Sequence, residues 1–129
     1  MRKPPRSLSP TLREDDYVFC TFEGARYGDH PELEPIAAFL ETEGLTLIIP
    51  KTRADEQGIS YASVFKCITL GVTTSLDQVG LTAAFSARLA EHGISANVIA
   101  GYFHDHIFVP GEHAARAVAV LDELAEWFS

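Results

Sequence analysis

Basic residues are scarce in this sequence. Lys and Arg together number 10 against 18 Asp and Glu, so the formal charge is -8 at pH 7. A protein that binds the phosphates of nucleic acids or of anionic lipids needs a clustered Lys and Arg surface. The one basic cluster, MRKPPR, begins a stretch of Pro, Ser and charged residues that predicts a flexible arm over residues 1–15. We therefore expect neither a nucleic-acid partner nor a membrane partner.

Long apolar runs and cysteine clusters are also missing. No run approaches the ~20 residues that cross a bilayer, and the basic start lacks the apolar stretch that a signal peptide requires. The only cysteines, Cys20 and Cys67, lie in separate apolar runs without a C-x-x-C spacing, which indicates buried thiols. The chain has no phosphate-cradling Gly loop and no H-E-x-x-H motif. We expect a cytoplasmic protein without a cofactor and without a metal.

Hydrophobic residues are plentiful. They make up 47% of the 129 positions, enough for the core of one domain or of two small intergrown ones. β-branched and aromatic runs predict strands in YVFCTF (17–22), LTLIIP (45–50), SVFKCITLGV (63–72), ISANVIAGY (94–102) and HIFVP (106–110). Apolar spacing and stop signals predict helices in EPIAAFLETEG (34–44), TRADEQG (52–58), TSLDQVGLTAAFSARLAEHG (74–93) and EHAARAVAVLDELAEWF (112–128).

A weak internal repeat organises these elements. The segments LTLIIPKTRADE and DHIFVPGEHAAR share an apolar strand, a terminal Pro and a helix that begins a few residues later. A repeat of about fifty residues indicates two copies of one α+β unit. The pattern predicts a ferredoxin-like fold (βαββαβ-type) of class α+β, with antiparallel sheets, helices on one face and two units side by side. We expect a first, shorter unit over residues 16–60, without a second strand between its helix and LTLIIP, and a fuller unit over residues 61–129.

Three of the five histidines lie in the stretch GYFHDHIFVPGEH. They are His104, His106 and His113, beside Asp105 and Glu112. This density is typical of metal sites and of His-based catalysis, but metal ligands must converge at close to ~2 Å from one point. The pattern predicts a turn at FHDH, a strand, and then a helix that begins at Glu112, which separates the histidines. A metal-dependent or His-based enzyme is therefore the alternative function.

The residues before the second long helix are suited to hold both ends of an α-amino acid. Unpaired N–H groups and a partial positive charge at a helix N-terminus favour a carboxylate near Val79 to Leu81. Gly80 allows close approach of the backbone, and Asp77 is a partner for an ammonium group. The alternative is structural, with Ser75 or Asp77 as the helix cap and Gly80 as a contact point for tight packing.

The segment TLGVTTSLDQVGLTAAFSARLAEHGISANVIAGYFHDHIFVPGEHAARAVAVL resembles an ACT domain. The resemblance lies in a strand that leads to a loop with Asp77 and Gly80, a helix that ends in LAEHGI, a hairpin and a last helix. With EGLTLIIP upstream, the chain is similar to short free-standing proteins with paired ACT-like units and no catalytic domain. This resemblance implies a homodimer and a small ligand, usually an amino acid, at the interface between ACT-like units. The candidate ligand-binding residues are Ser75, Asp77, Gln78, Val79, Gly80, Leu81, Ser95 and Asn97.

We therefore expect a non-catalytic regulatory or sensor module that binds a small metabolite. Asn97 stands among apolar strand residues, so it is either exposed at a sheet edge or hydrogen-bonded. An interaction domain without a small ligand of its own is the other alternative, beside the His-based enzyme.

Overall fold

The computed structural model describes residues 8–71 and 80–124. These residues divide between a small unit, residues 15–65, and a large unit, which holds the described residues among 1–14 and 66–129. The strands are β1 (Pro10–Phe22), β2 (Ala37–Leu40), β3 (Leu45–Pro50), β4 (Phe65–Leu70), β5 (Asn97–Ala100) and β6 (Asp105–Pro110). The helices are α1 (Lys51–Gln57), α2 (Leu81–Glu91) and α3 (Ala114–Leu124), with single 3-10 turns at Pro31–Leu33 and Gly111–His113.

The large unit has the predicted order of strand, helix, strand, strand, helix. Its strands are ordered β1-β4-β6-β5, and β5 pairs antiparallel with β6 so that Asn97 lies opposite Phe108. Helices α2 and α3 contact each other. Their apolar residues share one core with alternate residues of β4 and β6, which places both helices on one face of these strands. That core consists of Leu8, Ile68, Leu70, Leu81, Phe85, Leu89, Ile94, Ile107, Val109, Ala114, Ala117, Val120, Leu121 and Leu124. The antiparallel strands and packed helices confirm the α+β class and the ferredoxin-like fold.

The small unit consists of the second half of β1, β2, β3 and α1. Its strands are ordered β2-β3-β1, and both pairings are antiparallel. The predicted short helix is confirmed as α1, which ends at Gly58 with φ +68°. The core of the unit consists of Val18, Leu33, Leu45, Leu47, Ile49 and Ala54.

The helix predicted at residues 34–44 is wrong. Residues 37–40 form β2, and the backbone N–H of Ile36 donates to Ile48 O at 2.8 Å. Glu41 and Gly44 exchange two backbone hydrogen bonds that close a tight turn between β2 and β3. An isolated helix this short is only marginally stable. The hairpin instead gives the backbone N–H and C=O groups of β2 hydrogen-bond partners on the buried strand β3. The first unit therefore does have a second strand before LTLIIP.

The first strand begins earlier than predicted. β1 starts at Pro10, so residues 10–15, which we expected in the N-terminal arm, are part of a strand. Leu8 is buried in the core of the large unit, and Gly71 donates its N–H to the carbonyls of Leu8 and Ser9 at 3.0 and 2.9 Å. The polar run TLREDD concealed this strand, because its residues are exposed.

The internal repeat is clearest in the two hairpins. β3 and β6 are sixty residues apart, and each ends in a Pro with extended backbone, φ -58° at Pro50 and φ -53° at Pro110, before a helical turn. The hairpin registers also repeat, since Ala37 pairs with Ile48 as Asn97 pairs with Phe108. The spacing of the hairpins is thus longer than the predicted fifty residues. The division of the chain at residues 60 and 61 stays a prediction.

Candidate functional site

Gly80 begins the helix that carries the predicted ligand loop. It is the N-cap residue of α2, with φ +95° and ψ -23°, and its carbonyl accepts the N–H of Ala84 at 2.9 Å. A left-handed φ of this kind strains any residue with a Cβ, which explains a glycine here. Because glycine has no side chain to cap the helix, the first backbone N–H groups of α2 are not capped by their N-cap residue. A helix start whose N-cap residue provides no side-chain cap favours a negative charge.

Space adjoins Gly80 on the side of its missing side chain. Among the described residues, no heavy atom within 4 Å would meet a Cβ at Gly80, and Gly80 itself is exposed. Leu81, by contrast, is 6% exposed and its side chain lies in the core, so only its backbone N–H is offered to a ligand. The candidate residues Ser75, Asp77, Gln78 and Val79 lie outside the described residues.

Ser95 and Asn97 follow the opposite end of α2. The helix has 11 residues, which corresponds to a length of about 16 Å. Asn97 is exposed and begins β5, which is the last strand in the strand order and pairs with β6. Of the two alternatives for Asn97, exposure at a sheet edge is therefore the correct one. Gly80 and Asn97 therefore lie toward different ends of α2 in the large unit.

The histidine-rich stretch does not form one cluster. Asp105 is buried on the face of β6 that carries Ile107 and Val109, whereas His106 points to the other face and bonds Thr69. His113 lies in the 3-10 turn after β6, beyond a strand of six residues that spans about 20 Å. Within residues 8–71 and 80–124, no three His, Cys, Asp or Glu side chains are placed to hold one metal ion. The metal site that a metal-dependent enzyme would need is therefore not formed by these side chains in the described part of the chain.

Asp105 is a buried carboxyl group in an apolar setting. It is 5% exposed, and burial raises its pKa above the usual value, while the neighbouring His106 acts in the opposite direction. Because the folded state then disfavours the ionised form, we expect Asp105 to lower the stability of the protein at neutral pH. This cost disappears as the pH falls through the raised pKa and the folded state takes up the proton.

We expect a D105N variant to be more stable than the wild type at about pH 7, by on the order of 1 kcal/mol, because it removes a buried charge and keeps the shape. The advantage should shrink as the pH is lowered towards the ordinary Asp range. Urea unfolding at about pH 7 and at a pH in the ordinary Asp range measures this difference in stability. The control is D122N, at an exposed position of α3. Equal stability of D105N and the wild type at both pH values would contradict the expectation.

His106 belongs to a network that the sequence did not reveal. Its Nδ1 lies 2.9 Å from Thr69 Oγ1, and Arg13 Nε donates to the same oxygen at 3.3 Å. Burial, Arg13 and His104 lower the pKa of His106, and Asp105 raises it. The three residues are far apart in the chain and meet only because β1, β4 and β6 are neighbours in the strand order. No local motif marks them.

The small unit contains an open groove of about 750 Å³. Thr46 donates a short hydrogen bond to Glu41 there, and none of the lining residues is basic. The groove therefore lacks a basic partner for a carboxylate. Its lining consists of Phe19, Cys20, Thr21, Glu41, Thr46, Ile59, Ser60, Tyr61 and Ala62.

The helices in the described part of the chain are all too short or too polar to cross a membrane. Both cysteines are free; Cys67 is buried and Cys20 is half-buried, and burial raises the pKa of each thiol.

Comparison with known families gives two matches, both to the ACT domain. One match covers residues 5–66 and the other residues 62–123. A comparison with curated proteins found no match.

Solved structures with the same fold include one of high identity. A Vibrio cholerae protein of unknown function, described as a possible transport protein, is 56% identical, with 90% of this chain and 88% of that chain covered and a TM-score of 0.85. An Agrobacterium tumefaciens protein is 13% identical, with coverage of 91% and 87% and a TM-score of 0.70. The ligand-free regulatory subunit of aspartate kinase from Thermus thermophilus is 10% identical, with coverage of 87% and 92% and a TM-score of 0.62. At the two lower identities the likeness concerns the fold alone.

Proposed function

Since this chain belongs to the ACT-domain family, with two ACT matches in tandem, we propose that it is a non-catalytic regulatory module that binds a small metabolite, with an amino acid as the first candidate. ACT domains are regulatory rather than catalytic. The proposal is supported by the start of α2, where Gly80 gives the first N–H groups no side-chain cap and no described residue occupies the position of its missing side chain.

The proposed site holds an α-amino acid by both of its charged groups. The carboxylate lies on the backbone N–H groups around Val79 to Leu81, where the helix dipole favours a negative charge. The ammonium group pairs with Asp77, and Ser75 and Gln78 complete the loop. Gly80 permits the close approach, because no side chain projects from it.

The remaining contacts, Ser95 and Asn97, lie toward the other end of α2. A single amino acid is much shorter than the about 16 Å of α2. We therefore propose that the loop before α2 in one copy faces Ser95 and Asn97 of a second copy, at an interface between ACT units. Ligand binding then depends on the association of two copies of the chain. By linkage, the ligand can change the strength of this association or the affinity of the protein for a partner.

A homodimer is supported by the character of the edge strand β5. The strand carries no charged residue, and Ile99 is 36% exposed. Uncharged edge strands with exposed apolar residues are templates for pairing with another chain. We expect light scattering to give twice the mass of the 14.1 kDa chain, and a charge in the middle of β5, as in I99K, to lower that mass. We place the protein in the cytoplasm, with no nucleic-acid partner.

A thermal-shift screen of amino acids and other small metabolites tests the function. A ligand at about 100 times its Kd stabilises the native state by about 2.7 kcal/mol. This corresponds to a rise in Tm of several degrees for a domain of this size. The D77N variant should lose the shift given by an amino acid, whereas the control Q57A, at the exposed end of α1, should keep it. A complete panel without any shift would favour an interaction domain with no small ligand.

A further inference from the structure

Arg13, Thr69 and His106 lie together on the face of the large unit opposite to α2 and α3. Thr69 alternates with the core residues Ile68 and Leu70, and therefore points away from α2 and α3. Its hydroxyl oxygen lies 3.3 Å from Arg13 Nε and 2.9 Å from His106 Nδ1. Three neighbouring strands thus each contribute one polar side chain to a single hydrogen-bonded group.

Thr69 has one proton to donate and two lone pairs to accept with. It accepts the N–H of Arg13 at one lone pair. When His106 is neutral and accepts at Nδ1, the Thr69 proton is committed to the imidazole. When His106 is protonated, its Nδ1–H must donate to Thr69, and the Thr69 O–H is released for another acceptor. When neutral His106 is the Nε2–H tautomer, its protonation therefore decides whether Thr69 has a donor to offer.

Arg13 brings donors to the same place. Arg53 bonds the carboxylates of Glu34 and Glu56, and Arg88 bonds those of Glu91 and Glu123. Arg13 instead bonds a hydroxyl through Nε and has no carboxylate partner among the described residues. Its two terminal nitrogens are therefore available there for bidentate binding of an oxyanion.

We propose that Arg13, Thr69 and His106 form a binding site for a small oxyanion, either a carboxylate or a phosphate group, which binds more tightly when His106 is protonated. The guanidinium group holds two anion oxygens, and the Thr69 hydroxyl donates to the anion once His106 has released it. The site shares no residue with the proposed amino-acid site and does not depend on it.

The charges around His106 account for the direction of the pH effect. Burial, Arg13 on β1 and His104, which precedes β6, disfavour the imidazolium of His106, and Asp105 favours it. The buried thiol of Cys67 on β4 is another titratable group near Arg13. An anion on Arg13 offsets the repulsion, so its binding raises the pKa of His106. By linkage, protonation of His106 strengthens anion binding.

Calorimetric or NMR titration of the full chain with sulfate and with formate tests the site, because both probes keep a constant charge between about pH 6 and pH 8. We expect saturable binding that is tighter at the lower pH by up to about tenfold, which is the limit for one unit of linked pKa shift. Tighter sulfate binding identifies a phosphate-type ligand, and tighter formate binding a carboxylate; either result supports the proposal.

Three variants and one control separate this site from general electrostatics. R13Q should weaken binding by at least about tenfold, whereas H106Q and T69V should bind weakly and with equal affinity at both pH values. The control R116Q removes one exposed positive charge on α3 and should bind like the wild type. The proposal is overturned if neither probe binds saturably, if R116Q and R13Q weaken binding equally, or if H106Q keeps the full pH dependence.

Discussion

Replacement of Phe85 by Ala is expected to lower the free energy of unfolding by about 3 to 5 kcal/mol. Phe85 is fully buried on α2, where it follows Leu81 and precedes Leu89 on the same face, and these three side chains lie in the core of the large unit. Removal of the ring leaves a cavity that a packed core closes only in part. A loss of this size is a large fraction of the stability of a small domain.

Urea unfolding of F85A, followed by circular dichroism, measures this loss. The matched control is T82A, an exposed position on the same helix, where we expect a change within about 0.5 kcal/mol. If both variants were equally stable, α2 would not be packed through Phe85, and the arrangement of the large unit would be incorrect.

Replacement of Gly44 by Ala is expected to destabilise the small unit by about 1 to 3 kcal/mol. Gly44 closes the turn between β2 and β3, and a Cβ there would lie 2.8 Å from Thr21 Oγ1 and 3.0 Å from the carbonyl oxygen of Phe22. The Thr21 side chain can rotate away, but the Phe22 carbonyl belongs to β1 and can move only with the strand. The cost therefore comes from displacement of the backbone.

The same unfolding experiment on E43A provides the control, because Glu43 is exposed in the same turn. This variant should behave like the wild type. The comparison of G44A with E43A also distinguishes the hairpin from the helix that the sequence favours. In that helix, Gly44 would follow the last turn and would contact no strand. An unchanged stability of G44A would argue against the hairpin.

The regular elements of the fold were predictable where one face of an element is buried and the period is clear. β3, β6, α1 and α3 were predicted with nearly correct positions, because apolar runs that end in Pro and amphipathic spacing mark them. β2 was mistaken for a helix, because a four-residue apolar run fits both periods and because Pro35 and Gly44 resemble the start and stop signals of a helix. The first half of β1 was missed because its side chains are polar and exposed.

The sites were less predictable than the fold. The histidine density in GYFHDHIFVPGEH suggested chemistry, but strand alternation directs Asp105 and His106 to opposite faces of β6. The network around Thr69 could not be read from the chain, because its partners are separated by 56 and 37 residues. Gly80 was found because a helix start and a glycine are local signals.

The most direct test of the central claim is an amide NMR titration of isotope-labelled protein with the amino acid that raises Tm most in the screen. We expect saturable shifts of the backbone amides from Gly80 to Ala83 and of the Asn97 side-chain amide. Saturable shifts confined to the groove around Thr21 and Thr46, or no shifts with any amino acid, would contradict an amino-acid site at the start of α2.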